Sequence, residues 1–139
     1  MASLPQPHPR PCRHHLDHHT STGGHLTTLL DAGCGPGIVI RALAPHFTHA
    51  IGLDPSEGMV STARSLGGTS STAEPIRFEI STAEELGVKL DPPVEEGSVD
   101  LIVAATAAHW FDMEAFWPRA AKVLKPGGTV AFWYRYLLL

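Results

Sequence analysis

Cysteine is scarce in this chain of 139 residues: only Cys12 and Cys34 are present. Two thiols cannot make a disulfide framework, and the sequence reads as that of a protein from a reducing compartment. No apolar run approaches the ~20 residues that a membrane helix requires, and the opening MASLPQPHPRPC has no apolar signal core. A basic excess is also missing. Formal net charge is −4, which disfavours electrostatically driven nucleic-acid binding. Charged residues make up only 17% and hydrophobic residues 43%, the composition of one globular domain rather than a disordered chain or a coiled coil. The expectation is a cytoplasmic protein.

The first 25 residues stand apart. They hold six of the nine histidines and four of the twelve prolines, without helical or strand periodicity, and read as a disordered tail. Cys12, His14, His15, Asp17, His18 and His19 are metal-ligating types. Structural zinc sites pair two ligand groups across a folded element. None follows here, so the cluster reads as a His-rich tail and no metal is expected.

From Leu26 onward apolar strands alternate with amphipathic segments, to residue 139. Strands are expected over Leu26–Ala32, Ala50–Leu53, Ile76–Ile80, Val99–Ala105 and Thr129–Tyr134. Helices are expected over Pro36–Ala44, from Ser56 to Leu66, and over Asp112–Leu124 with a kink or restart at Pro118. Met59, Val60, Ala63 and Leu66 would share one helix face. Ser81-Thr82-Ala83-Glu84 has the spacing of a capping box before a short helix. Alternation of this kind argues for an open parallel α/β sheet covered on both faces.

The first strand runs into Asp31-Ala32-Gly33-Cys34-Gly35-Pro36-Gly37. Glycines there let a ligand lie against the backbone, and the next helix aims free N–H groups at the same place. Ligands of doubly wound sheets bind outside the carboxyl ends of the strands. The spacing is not a dinucleotide fingerprint, because the third small residue would fall at Ile38 and Gly37 comes one place early. A triphosphate loop with G-K-[ST] is absent. Asp54 closes the second strand, 19 residues beyond Gly35, where an acid can accept hydrogen bonds from ribose hydroxyls.

Five segments in order carry a resemblance: LLDAGCGPG, GLDPSEGMV, FEISTAEEL, VDLIVAATAAHWF and LKPGGTVAFW. Together they resemble the class I S-adenosylmethionine-dependent methyltransferases from about Leu26 to Tyr134. HWFD and AFW look most like the trans-aconitate methyltransferase branch, especially its fungal members. The resemblance implies a Rossmann-like, doubly wound sheet of order 3-2-1-4-5 and S-adenosylmethionine as cofactor. It places Asp31, Gly33, Cys34 and Gly35 against the methionyl part, Asp54 on the ribose, Pro55 and Met59 beside ribose and adenine, and Thr82 and Ala83 at the adenine. Many members carry Asp where this chain has Thr82, and Met59 could equally be core. Glu84 reads as a helix cap. His109 is a candidate for orienting the acceptor, and no catalytic base is assigned. The implied reaction is methyl transfer to a small molecule, a carboxylate such as trans-aconitate among them, with no nucleic-acid or membrane partner. Complete members begin with helices over the cofactor and continue into two further strands. The expectation here is therefore a partial domain over 26–139 lacking those strands, able to self-associate through its fifth-strand edge. The alternative is a catalytically inactive, cofactor-binding remnant or partner subunit.

Overall fold

The computed structural model describes residues 16, 17, 19–21, 24–104 and 112–132. Along the chain run β1 (Thr28–Ala32), α1 (Ile38–Leu43) with a 3-10 turn at Ala44–His46, β2 (His49–Asp54), α2 (Glu57–Leu66) and β3 (Arg77–Ile80). Then follow β4 (Val99–Ala104), α3 (Met113–Val123) and β5 (Leu124–Phe132). The strands form one sheet of order β3-β2-β1-β4-β5, and every pairing is parallel. This is the expected doubly wound order.

Burial explains the order. Every residue of β1 and β4 is buried, as in central strands covered on both faces. Successive side chains point to opposite faces, so Leu29 packs with Ile40, Leu43, Phe47, Val60 and Phe78 under α1 and α2. Its neighbour Leu30 packs with Ile102, Leu86, Phe116, Ala120 and Val123 under α3. Edge strand β3 is short and carries Arg77 and Glu79, linked to each other and to Arg64, which blunts an edge against pairing. Ser56 caps α2 as expected, its side chain accepting from the Met59 amide at 3.3 Å. Only Val60 and Ala63 of the expected apolar face are buried, whereas Met59 and Leu66 are exposed.

Other expectations need correction. α3 runs unbroken through Pro118. Pro118 and Glu114 both lie on its exposed side, so the carbonyl that loses its amide partner can be hydrated. β5 begins at Leu124 rather than Thr129, because Leu124 pairs with Val99 and Thr129 pairs with Leu101. The intervening Lys-Pro-Gly-Gly is absorbed as an irregularity. Asp100, almost fully buried, stitches this end of the sheet by accepting from the Thr28 amide at 2.8 Å and the Lys125 ammonium at 3.1 Å.

The 1–25 segment is not wholly the unstructured tail expected. Leu16, Asp17, His19, Thr20 and Ser21 are helical, and Leu16 joins the α1–α2 core. His19 is fully buried, with Nδ1 2.8 Å from the Thr129 hydroxyl and Nε2 2.8 Å from the His25 carbonyl. A Cβ at Gly24 would collide with that imidazole. Of the possible metal ligands, Cys12, His14, His15 and His18 lie outside the described residues. No described helix is long and apolar enough to cross a membrane.

Candidate functional site

The glycine loop leaves the carboxyl end of β1 and enters α1 through three left-handed residues, Gly33, Gly35 and Gly37, at φ 72°, 55° and 91°. A side chain is strained at such angles. Gly37 also has no room, since its Cβ would lie 2.6 Å from Arg41 and 3.1 Å from the Phe78 ring. Gly35 is the opposite case: a Cβ there would meet nothing within 4 Å. Its backbone therefore borders open space.

β2 supplies the other wall. The Leu53 carbonyl accepts from the Gly33 and Cys34 amides, both at 2.8 Å. Asp54 Oδ2 accepts from the Gly35 amide at 2.9 Å and Oδ1 from the Ser56 amide at 2.8 Å, while its carbonyl accepts from the Ser81 amide at 3.1 Å. One residue thus ties together the glycine loop, the start of α2 and the exit of β3. Each carboxylate oxygen has a second lone pair to offer, and Asp54 is only partly buried.

Asp31 is 1% exposed. Burial first, and then the Asp54 charge, push its carboxyl well above the usual carboxylate range. Cys34 is buried too. Desolvation, followed by the Asp31 and Asp54 charges, drives its thiol upward, which keeps it neutral and unreactive. Two acids at the ends of adjacent strands make a place suited to a cationic group.

Of the other candidates, Pro55 is exposed, and Met59 is 45% exposed, so its side chain is not core. Thr82 turns its hydroxyl onto the Glu85 amide at 3.2 Å, and Ala83 is buried against the α3 side of the sheet. The capping-box expectation is displaced by one residue: Thr82, not Ser81, caps this turn, and Glu84 reaches away from it to accept from the Asp112 amide at 2.8 Å. Leu86 and Gly87, both at positive φ, end the turn. Gly35 is therefore bonded directly to Asp54, and Gly33 and Cys34 to the adjoining Leu53 carbonyl, with Asp31 close enough to feel the Asp54 charge and Pro55, Met59, Thr82 and Ala83 on the segments that leave β2 and β3. His109 lies outside the described residues. Sequence reasoning missed Ile38 and Ile80, exposed apolar side chains at the start of α1 and the end of β3. Their signal was available, since both positions adjoin the carboxyl ends of the strands. Among the described residues no cluster of His, Cys, Asp and Glu could hold a metal.

A methyltransferase domain model matches residues 30–132, taking in the end of β1, the other four strands and both acids. The chain belongs to the methyltransferase domain family. Within the family it is 32% identical over 111 residues to a probable S-adenosylmethionine-dependent methyltransferase of Saccharomyces cerevisiae, covering 80% of this chain and 36% of the yeast protein. The YcgJ protein of Bacillus subtilis superposes with a TM-score of 0.68 at 30% identity, over 86% of this chain and 50% of that one. An S-adenosylmethionine-dependent methyltransferase from Clostridium acetobutylicum gives a TM-score of 0.72 at 20% identity, over 87% and 48%, and shares the fold. This methyltransferase domain spans little more than a third of the curated yeast relative's length.

Proposed function

We propose that this domain binds S-adenosylmethionine at the carboxyl ends of β1 and β2 and directs its methyl group to a small-molecule acceptor. The observation that carries the reading is the Asp54 hub: a partly exposed carboxylate, anchored by the Gly35 and Ser56 amides, beside a glycine that borders open space. The likeness to the yeast S-adenosylmethionine-dependent methyltransferase supports the choice of cofactor.

The residues fit that ligand. Gly33, Cys34 and Gly35 would take the methionyl part along their backbone, and the Asp31–Asp54 pair offers a field that favours a positively charged group. Asp54 has free lone pairs for vicinal hydroxyls. Pro55, Met59 and Ile80 give an apolar rim, with Thr82 and Ala83 beside it, suited to a flat heterocycle. When bound, the cofactor supplies an electrophilic methyl group on a sulfonium. The protein's task is then alignment and exclusion of water, which can supply much of the rate. A carboxylate acceptor is already a nucleophile, so no general base is assigned. His109 remains the candidate for orienting it.

The acceptor class we favour is a small carboxylic acid, trans-aconitate included, on the resemblance of HWFD and AFW. A radiolabelled methyl-transfer screen over small carboxylic acids and phenols tests it. Label in a carboxylic acid supports the reading, and label appearing only in RNA or protein refutes it. A second reading is a cofactor-binding subunit that works by association. Among the described residues β5 is paired on one side only, and Phe132 stacks edge-on with the exposed Trp117 at 5.6 Å. An apolar strand edge of this kind favours association. Cofactor binding without turnover, from a dimer in sedimentation, would favour that reading.

A further inference from the structure

Glu84 is a partly exposed residue in a turn that does not need its carboxylate. Thr82 Oγ1 accepts from the Glu85 amide, the Thr82 carbonyl accepts from the Leu86 amide at 3.0 Å, and Ser81 Oγ accepts from the Gly87 amide at 3.0 Å. These bonds close the turn on their own. The Glu84 carboxylate instead crosses to the amide of Asp112, 28 residues further on.

Asp112 is the N-cap of α3. Its Oδ1 accepts from the Glu114 and Ala115 amides at 3.1 and 3.3 Å. In a capping box the third helical residue is Glu or Gln and returns a bond to the cap residue's own amide. Here that position is Ala115, which has no acceptor. Glu84 supplies the missing half of the box from another segment. A second tie runs the other way, from Arg119 Nε on α3 to the Glu85 carbonyl at 3.2 Å. The start of α3, where the chain arriving from β4 enters the helix, is thereby held to the Thr82–Ala83 turn.

We infer that Glu84 is a positioning residue that couples the cofactor side of the site to the start of α3. The inference rests on the S-adenosylmethionine reading. A ligand seated against the Thr82–Ala83 turn restrains Glu84, and Glu84 restrains the α3 N-terminus. The start of the helix that follows β4, already tied to the turn without ligand, is then held more firmly when the cofactor is in place.

The test combines titration calorimetry with amide hydrogen exchange by NMR on the full chain, with and without saturating S-adenosylmethionine. In the unaltered chain the cofactor slows exchange at Asp112 by about tenfold. Glu84→Gln keeps an acceptor oxygen and retains most of that protection. Glu84→Ala loses it, yet binds S-adenosylmethionine within about twofold of the parent, because the carboxylate does not belong to the binding wall. A purely structural role would loosen Asp112 equally with and without cofactor, and that result overturns the inference. So does binding without added protection in the unaltered chain, or full protection in Glu84→Ala. Absence of binding by the unaltered chain would instead remove the functional reading, and the coupling with it.

Discussion

Replacing Gly35 by alanine separates ligand space from backbone strain. Gly35 sits at φ 55°, so alanine there pays the left-handed penalty of about 1–2 kcal/mol, offset in part by a stiffer unfolded chain. Its Cβ meets nothing within 4 Å, so no steric cost is added to the free protein. The net loss is about 1 kcal/mol, or roughly 3–5 °C in melting temperature for a domain of this size. Gly127 provides the control. It too is left-handed, at φ 82°, with open space around its Cβ, but it lies at the amino end of β5, across the sheet from the loop. Gly127→Ala has the same stability cost. The two variants diverge in binding. A methyl group intruding into occupied ligand space costs about 1–3 kcal/mol, which weakens S-adenosylmethionine binding by roughly 5- to 150-fold. Calorimetry on parent, Gly35→Ala and Gly127→Ala, alongside thermal melts, reads both quantities. An unchanged Kd for Gly35→Ala would show that the open space is not the ligand's. Equal losses in both variants would show that the effect is global.

Asp54→Ala removes an acceptor from the Gly35 and Ser56 amides and weakens S-adenosylmethionine binding by about 1.5–3 kcal/mol, the scale of hydrogen bonds to a charged group; a Kd within twofold of the parent contradicts this. Asp31 holds its proton to higher pH in the folded chain than in the unfolded one, so its contribution to stability falls as pH rises from about 4 towards the folded value and is flat above it. Asp31→Asn lacks that slope, so in urea titrations its advantage grows as pH rises from about 4 and levels off only above the folded value; an advantage that shrinks with rising pH refutes the assignment. Gly24→Ala drives a methyl into the His19 ring and costs about 1–3 kcal/mol. The cost largely disappears in a His19→Ala background, and additive losses in that double-mutant cycle would show that the two residues do not touch.

What was legible in the sequence is what local chemistry decides. Continuous apolar runs marked β1 and β4 as strands, Ser56 marked the start of α2, and the spacing from Gly35 to Asp54 put an acid beside the loop. What was not legible depends on partners far along the chain. Pairing of Leu124 with Val99 starts β5 early, and no local signal announces it. Glu84 has the spacing of a local cap, yet the Asp112 amide wins its carboxylate. His19 and Leu16 sit in a His- and Pro-rich stretch that composition assigns to disorder. Thr129, 110 residues on, and the core under α1 give them places to dock. Pro118 breaks helices in isolation, but α3 is held by Phe116, Ala120 and Val123 on its buried side, and packing outweighs the local penalty.

We propose above all that the glycine loop and Asp54 form an S-adenosylmethionine site. Titration calorimetry of the chain with S-adenosylmethionine, and in parallel with NAD, tests it most directly. Saturable binding of one S-adenosylmethionine per chain, with no heat from NAD, is the expected result. Heat with NAD and none with S-adenosylmethionine would contradict it.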